Sequence, residues 1–493
     1  MAEDRTTYRR VRLLTGFVTP VLLAGALLAF ARLSDGAWEP GAQVAGICRE
    51  LLAGTTEGRQ ALFGSCWVAP LPVLLYLPFA WLLPEPFAGG AAFFTAWLFV
   101  FWAVREAVKA TGQSGWRIVL AQTAIAVLMV VAKQPLALQV ATPLTVGLVL
   151  LTAAALADWA TFRRLRDVVA AGAAGSFLLL CGFPFFAPAG VAVALVPLAA
   201  CGAAETRKRF SAWLLLAYLP LVYTLGVWLL MNRLVLGDVF FFVRSLEYLV
   251  SDPARFAVAS LLPGLWFLPA LLLTWILDAW RVSAAIRPLA ATAMLIAFAL
   301  ALVSSSAVLA HFDLGWNKAV VSVCVLSVLM VALARLRQPT YRLALVLVVF
   351  IGLGMRWFKP LPAEPPKEPR EQLCQEVEAH VDAHTSYGRV FVLGYAGLDL
   401  LRGYAGDRLV PNMDLHIGSL RRAYKGQNLY LLVPKPEGAA RAESVFWKYP
   451  DMYLNGGDRL LFSGVFGSWH LFELVSAPTQ EQLDEWKRGE VSR

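Results

Sequence analysis

Four carboxylates share one long polar segment near the start of the chain. Residues 34–66 interrupt an otherwise apolar sequence and contain Asp35, Glu39, Glu50 and Glu57. A carboxylate beside a hydroxyl can act as its general base. Helices that only had to sit in lipid would be joined by short turns. We therefore interpret this segment as one that carries out chemistry or binding.

Two later polar segments supply positive charge and further polar side chains. The first holds Asp238 and Arg244, and the second holds His311 and Lys318. A reaction on a lipid phosphate needs a base for the acceptor hydroxyl and positive charge for the leaving phosphate. The same residues also have simpler interpretations, as solvated loop acids and as cations that anchor helix ends at a membrane interface.

The composition indicates which class of protein must position these residues. Of 493 residues, 58% are hydrophobic and 16% are charged, and the mean hydropathy is +0.62. Each bilayer crossing uses about 20 apolar residues, so the chain is predicted to be a polytopic α-helical membrane protein. The excess of positive charge, +9 overall, lies in the apolar part, where Lys and Arg orient helices. We therefore predict no nucleic-acid partner.

The positions of the basic clusters predict about 11 transmembrane spans, with the N-terminus in the cytoplasm. This assignment puts 18 Lys and Arg residues in cytoplasmic segments and seven in outer ones, the bias that orients membrane helices. Residues 67–84 contain four prolines and are assigned to an interfacial or re-entrant segment. The predicted spans are residues 13–33, 88–104, 117–132, 138–158, 167–183, 189–203, 210–230, 257–279, 288–308, 318–334 and 342–358.

Two of these spans have an alternative interpretation. Segments 167–183 and 189–203 are short for a full crossing, so they can instead form a helical hairpin that enters the membrane and returns. In either case the topology puts the first loop and the C-terminal region on the same, outer face.

The predicted domain organisation follows from this topology. Residues 1–358 form the membrane domain, 359–370 form a proline-rich linker, and 371–493 form a small α/β domain on the outer face. In that domain, residues 371–384 have helical spacing, 389–393 and 428–433 are predicted to be buried strands, and 460–475 a closing hairpin.

Histidine and cysteine patterns predict no metal site. His380 and His384 have the i, i+4 spacing of a metal-binding pair, but no third ligand stands near them, so an ordinary helix face is expected. Cys48 and Cys66 share the first loop, and the sequence leaves open whether they form a disulfide. The Gly-Tyr-Ala-Gly repeats at 394–397 and 403–406 are predicted to be turns.

The layout of these segments resembles the GT-C class of integral membrane glycosyltransferases. One span, a long outer loop, a proline-rich segment, many further spans and a C-terminal outer domain follow in that order. More specific similarity to bacterial proteins of this type lies in four short motifs, which are LLAG at 51–54, WVAPLP at 67–72, NRLVLGD at 232–238 and YPDMYLNG at 449–456.

This resemblance implies a mechanism and a set of site residues. A first-loop carboxylate would activate the acceptor hydroxyl, and a polyprenyl phosphate would leave with inversion at the anomeric carbon. The register of the family's acidic pair falls here on Pro40 and Gly41, which are not acids. The nearest acid, Glu39, is the first candidate for the base, and Asp35 is the second.

The remaining site residues are assigned on the same basis. The candidate contacts of the substrate and of the lipid phosphate are Lys318, Arg244, His311 and Asp238. The partners would be a polyprenyl-phosphate sugar, a glycan or lipid acceptor, and membrane lipids. The resemblance places the protein in a bacterial plasma membrane. It implies no cofactor and leaves the need for a divalent cation open.

Two other functions are consistent with the sequence. The displaced acids fit a family member that has lost catalysis and acts as a lipid-glycan binding or assembly subunit. A transporter of lipid-linked sugars would need ionisable residues at mid-membrane depth and repeat symmetry between halves, and few such residues are present.

Overall fold

The structure of the chain is a computed structural model. It describes residues 13–33, 42–54, 58–59, 62–63, 69–110, 115–131, 141–162, 164–182, 186–202, 210–240, 292, 294–302, 324–325, 327–329, 331–332, 370–385, 388–394, 397, 400–401, 404, 406–412, 427–435 and 460–474. Predicted spans 257–279 and 342–358 and the linker up to residue 369 lie outside this set. The described residues are mostly helical, with a small sheet near the C-terminal end.

Nine continuous helices precede residue 240 within the described ranges, and residues 58–59 and 62–63 are helical as well. The first described segment contains a π-helical turn, Leu14–Val18, that continues directly into the first helix. The helices are α1 (Thr19–Leu33), α2 (Ala42–Leu52), α3 (Pro70–Leu82), α4 (Glu85–Ala110), α5 (Trp116–Val131), α6 (Ala141–Phe162), α7 (Leu165–Leu179), α8 (Phe186–Gly202) and α9 (Phe210–Leu236). Residues 292, 294–302, 324–325, 327–329 and 331–332 are also helical.

Three of the described helices are long and apolar enough to cross a membrane. They contain Phe87–Lys109, Thr142–Phe162 and Ser211–Leu236. Helices α7 and α8 have 15 and 17 residues, so at about 1.5 Å per residue they are shorter than the hydrocarbon core of about 30 Å. Both helices are therefore short enough for the alternative interpretation, in which these two segments form a hairpin that enters the membrane and returns.

Helices α7, α8 and α9 pack closely at glycines. A side chain at Gly172 of α7 would meet the Ala217 carbonyl oxygen of α9 at 2.7 Å, and one at Gly175 would meet Val193 of α8 at 3.3 Å. Small residues let helix backbones approach in this way in apolar surroundings. The absence of a Cβ at these two positions therefore permits the close approach of the three helices.

The described strands form one five-stranded sheet with one helix packed on it. The helix is α10 (Arg370–His384), and the strands are β1 (Gly388–Leu393), β2 (Leu409–Asn412), β3 (Asn428–Pro434), β4 (Leu460–Phe466) and β5 (Trp469–Leu474). The order is β2-β1-β3-β5-β4, with β1 parallel to β2 and β3. The other two pairings are antiparallel.

Side chains alternate between two apolar layers on this sheet. One layer contains Leu431 and Phe472, and the other contains Leu432 and Leu471 against Val377 of α10. All five are almost completely buried. Period-2 alternation therefore specifies both faces of the sheet, and the face covered by α10 carries the larger cluster.

The described helices and strands coincide with much of the predicted pattern. Helix α10, strands β1 and β3 and the β4–β5 hairpin lie where the sequence predicts them. Strand β2 is an addition that the sequence did not predict. The first Gly-Tyr-Ala-Gly begins with a turn, since Gly394 has a φ of 85° and its carbonyl accepts the Gly397 N–H at 3.2 Å. The α1–α9 helices and the sheet with α10 belong to two separate compact units.

Candidate functional site

Of the six predicted site residues, Asp238 alone falls within the described residues. Glu39, Asp35, Arg244, His311 and Lys318 lie outside them. The candidate site is therefore described through the elements next to the first loop and to Asp238 that the structure does describe. These elements are α2 and Phe63 in the first loop, helix α3, and the C-terminal end of α9.

Helix α2 within the first loop packs on α3. Its residues Ile47 and Cys48 are completely buried, and the Cys48 thiol donates to the Val73 carbonyl of α3 at a distance of 3.5 Å. Burial raises the pKa of the Cys48 thiol to about 12. Cys48 is a free cysteine, which answers for Cys48 the question that the sequence left open, and Cys66 lies outside the described residues.

Helix α3 begins at prolines and is tied to α7 at its first turn. Pro70 and Pro72 lie in the first turn, where the missing backbone N–H groups would have no helical partner, and Pro78 lies inside the helix. The Leu71 N–H donates to the Leu180 carbonyl that follows α7, at 2.9 Å. The proline-rich segment predicted to be interfacial is therefore a 13-residue helix held at its N-terminal end by α7.

The first loop also contacts α9 through aromatic rings. The ring centroids of Phe63 and Trp228 are 5.7 Å apart, with an angle of 55° between the ring planes. One turn later, Asn232 is completely buried and its amide donates to the Trp228 carbonyl at 2.9 Å. The side-chain oxygen of Asn232 has no hydrogen-bond partner among the described residues.

Asp238 forms the turn that ends α9. The Arg233 side chain donates to the Gly237 carbonyl, and the Asp238 carboxylate accepts the Phe240 N–H at 3.1 Å. Gly237 has a φ of 75°, which favours glycine at this position. The described contacts of Asp238 thus stabilise a local turn, and its predicted contact with a substrate stays a prediction.

Sequence reasoning did not select two residues of this region. Phe63 and Trp228 join the first loop to α9, but the sequence shows only an aromatic residue in a loop and another in an apolar helix. Asn232 belongs to the NRLVLGD motif, and a polar amide in a membrane-type helix is a general signal for a functional or packing role. The contact between Phe63 and Trp228 joins positions too far apart in the chain for any local pattern to predict.

The two histidines of α10 form a stacked pair. Their ring centroids are 4.4 Å apart, and the Nδ1–H of His384 donates to the His380 carbonyl at 2.8 Å. His380 Nε2 is 3.0 Å from Ser463 Oγ of β4. Burial and the neighbouring His384 lower the pKa of His380. Within the described residues no group of three metal-ligating side chains is present, and the pair joins α10 to the sheet.

A second group of titratable side chains, Cys374 and Glu378 of α10 together with Tyr404, lies apart from the histidines. Burial and a hydrogen bond with Glu378 raise the pKa of Tyr404. Cys374 is completely buried and free, and burial raises its pKa to about 11, with the charges of Glu378 and Glu371 adding to the effect. A thiol in this state is a poor nucleophile, so we assign this group a packing role.

Comparison of the sequence with protein-family models gives no match, and comparison with curated proteins gives none either.

Proposed function

We propose that this protein is a membrane glycosyltransferase of the GT-C type, which moves a sugar from a polyprenyl-phosphate donor to a lipid-linked or cell-surface glycan acceptor on the outer face of a bacterial plasma membrane. The proposal rests on the resemblance of the sequence motifs. Its parts are a membrane domain of about 11 spans and a C-terminal α/β domain on the outer face.

One observation carries the proposal furthest. The first loop is built into the helical unit at two points, through Cys48 on Val73 and through Phe63 on Trp228. A loop that merely joined two helices would not need a helix with a buried face. A loop fixed against α3 and α9 can hold a carboxylate at a constant position, which general-base catalysis requires.

The proposed reaction assigns a role to each candidate residue. Glu39, with Asp35 as the second candidate, accepts the proton of the acceptor hydroxyl. The hydroxyl oxygen then bonds to the anomeric carbon, and the bond to the polyprenyl phosphate breaks with inversion. Lys318 and Arg244 hold the departing phosphate through charge-assisted hydrogen bonds. His311 and Asp238 are further contacts of the substrates.

The test is a transfer assay in membranes that contain the full chain. Membranes are incubated with radiolabelled polyprenyl-phosphate sugars and acceptor lipids, and wild type is compared with Glu39→Gln, Asp35→Asn and the same-loop control Glu57→Gln. We expect Glu39→Gln to reduce transfer by about 100-fold, the lower range for loss of a general base, and Glu57→Gln to leave it unchanged. Full activity of both Glu39→Gln and Asp35→Asn would eliminate the proposed mechanism.

The displaced acidic register favours one alternative, a binding or assembly subunit without catalysis. That alternative predicts that the purified protein retains labelled lipid-linked sugar while every variant, including wild type, shows no transfer. Measuring lipid retention and transfer on the same preparations separates the two functions. A transporter would instead move the labelled lipid across sealed vesicles without changing it chemically.

A further inference from the structure

Polar groups from three chain segments meet beside the π-helical turn Leu14–Val18. Gln122 of α5 is completely buried. Its amide donates to the Thr15 carbonyl of the π turn at 3.3 Å and to the Phe101 carbonyl of α4 at 2.9 Å. Thr15 itself is almost completely buried. A π turn interrupts the regular backbone hydrogen bonding of an α-helix and is often found at functional sites.

Arg105 of α4 brings a cation to the same place. Its side chain is only 14% exposed and lies 3.4 Å from the carboxylate of Glu106. That carboxylate is also 3.0 Å from the ammonium of Lys109, which is 41% exposed. Two cations thus share one carboxylate, so the cluster keeps one net positive charge. Most of the Arg105 side chain has lost contact with water, which makes an uncompensated charge there unfavourable.

Two atoms of this cluster have unused hydrogen-bonding capacity. The Arg105 Nε–H and the Gln122 Oε1 are both buried, and neither has a hydrogen-bond partner among the described residues. Buried polar atoms in native proteins are nearly always paired with protein, water or ligand. Both residues contact the π turn, Gln122 at the Thr15 carbonyl and Arg105 at Gly16. Glu106 is the only counter-charge of Arg105 in the described part of the cluster.

Gly16 sets how closely the guanidinium approaches the first helix. A Cβ at this position would lie 3.3 Å from both Cζ and Nη2 of Arg105, which is tighter than ordinary van der Waals contact. An added methyl group would require the guanidinium to move by a few tenths of an ångström. The position of the Arg105 guanidinium is therefore set in part by the absence of a side chain at Gly16.

The surroundings of the cluster have the character of a membrane interface. Phe17, Trp102 and Trp116 come from the same three segments and are 66%, 45% and 68% exposed. Arg117 lies over the Trp116 ring, with its Cζ 6.0 Å from the ring centroid. Tryptophan and basic side chains are enriched at the level of lipid headgroups. Large exposed apolar groups can contact the acyl chains of a lipid. They therefore favour a phospholipid over inorganic phosphate, which has no such chains.

We propose that Arg105, seated against Gly16 of the π turn that Gln122 also contacts, binds the phosphate of an anionic membrane phospholipid at the end of the helical unit that the basic residues assign to the cytoplasm. The guanidinium donates to phosphate oxygens in the fork geometry that Arg offers to phosphates. Glu106 alone gives one negative charge for two cations, and the phosphate supplies the second negative charge. This site is independent of the proposed glycosyl transfer and involves none of its residues.

Native mass spectrometry of the full chain in dodecyl maltoside tests the site. The protein is titrated with dioleoylphosphatidylglycerol, with dioleoylphosphatidylcholine and with inorganic phosphate. We expect wild type to bind one phosphatidylglycerol most tightly, and Arg105→Gln to weaken this first event by about 10-fold or more, the effect of losing a charge-assisted pair. Arg164→Gln removes the same charge at an exposed position outside the cluster, where the guanidinium lies over the Phe162 ring, and should leave the first event unchanged.

Gly16→Ala provides a second test that changes no charge and truncates no side chain. We expect it to weaken the first phosphatidylglycerol adduct, because the new methyl group displaces the guanidinium. Equal lipid binding by wild type and Gly16→Ala, or by wild type and a folded Arg105→Gln protein, would overturn the proposal. Equally strong binding of phosphatidylcholine would overturn the preference for an anionic lipid, and displacement of the lipid by equimolar inorganic phosphate would identify a free-phosphate site instead.

Discussion

The imidazole of His380 stacks on that of His384 at 4.4 Å and reaches Ser463 on strand β4 with its Nε2. This arrangement holds α10 against one end of the sheet. Two neutral imidazole rings can lie this close together. Protonation of both rings is unfavourable, because positive charges at this distance repel each other. Burial acts in the same direction, and together they lower the pKa of His380.

Acidification should therefore loosen α10. A group whose pKa is lower in the folded state than its ordinary value of 6.5 contributes stability above that value and loses it as the pH falls through the folded pKa. We expect amide hydrogen exchange in α10 and β4 to be faster at pH 5.5 than at pH 7.5 after correction for the intrinsic rate.

Two variants sharpen this measurement. His384→Gln removes the repulsive partner and should reduce the pH response of α10. His470→Gln removes a histidine whose ring lies against Phe462 and Phe472, in the layer away from α10, and should leave that response unchanged. The same pH response in wild type and His384→Gln would contradict the role of the stacked pair.

The buried thiols should resist alkylation in the folded protein. Cys374 and Cys48 have pKa values raised by burial to about 11 and about 12, so almost none of either thiol is ionised near pH 8. We expect N-ethylmaleimide to modify both slowly at pH 7.5 and completely after denaturation, as measured by peptide mass spectrometry. Ser468→Cys, at the exposed turn between β4 and β5, is the reactive control. Labelling of Cys374 as fast as the thiol that Ser468→Cys introduces would show that Cys374 is accessible.

The close approach of α7 and α9 should make Gly172 intolerant of substitution. In Gly172→Ala the new methyl group meets the Ala217 carbonyl at 2.7 Å, and overpacking of this kind costs about 1–3 kcal/mol. Gly190→Ala on α8 is the matched control, because its methyl group meets nothing within 4 Å and alanine favours helix by about 1 kcal/mol. Differential scanning fluorimetry in detergent should show a lower unfolding temperature for Gly172→Ala alone. Equal shifts for both variants would mean that the helices can move apart without cost.

The contact between Phe63 and Trp228 should restrain the first loop. Aromatic pairs of this type contribute about 0.5–1.5 kcal/mol beyond their buried area. We expect Phe63→Ala to speed tryptic cleavage after the exposed Arg59, because loop opening becomes easier. Phe17→Ala removes an exposed ring elsewhere and is the control. If the loop is cut no faster in Phe63→Ala, the ring pair does not hold it.

The predictability of the fold varies with the length of each pattern. Strand β1 and the β4–β5 hairpin are predicted because five or more residues carry the signal in each case. Strand β2 has four residues, Leu409–Asn412, one of which is Pro411. Its pairing with β1 is set by the sheet, and no local pattern of this length can distinguish it from a loop.

The candidate site was less predictable than the fold. The sequence selected Asp238 by its charge and Cys48 only as a possible disulfide partner, yet the contacts that join the first loop to the bundle are the Cys48 thiol on Val73 and the ring pair of Phe63 and Trp228. No local window of the sequence indicates these contacts. Gln122 is a similar case. Its importance comes from carbonyls on two other segments, and such convergence depends on how helices pack rather than on the composition of any one of them.

Both outer strands of the described sheet have features that discourage further pairing. At one edge, β2 is short and contains Pro411, which cannot donate a hydrogen bond to a new strand. At the other edge, β4 has an irregular register between Phe462 and Gly464. Such interruptions prevent one sheet from templating another. The domain therefore carries its own protection against edge-to-edge aggregation, and we expect it to stay monodisperse even when many copies are crowded together.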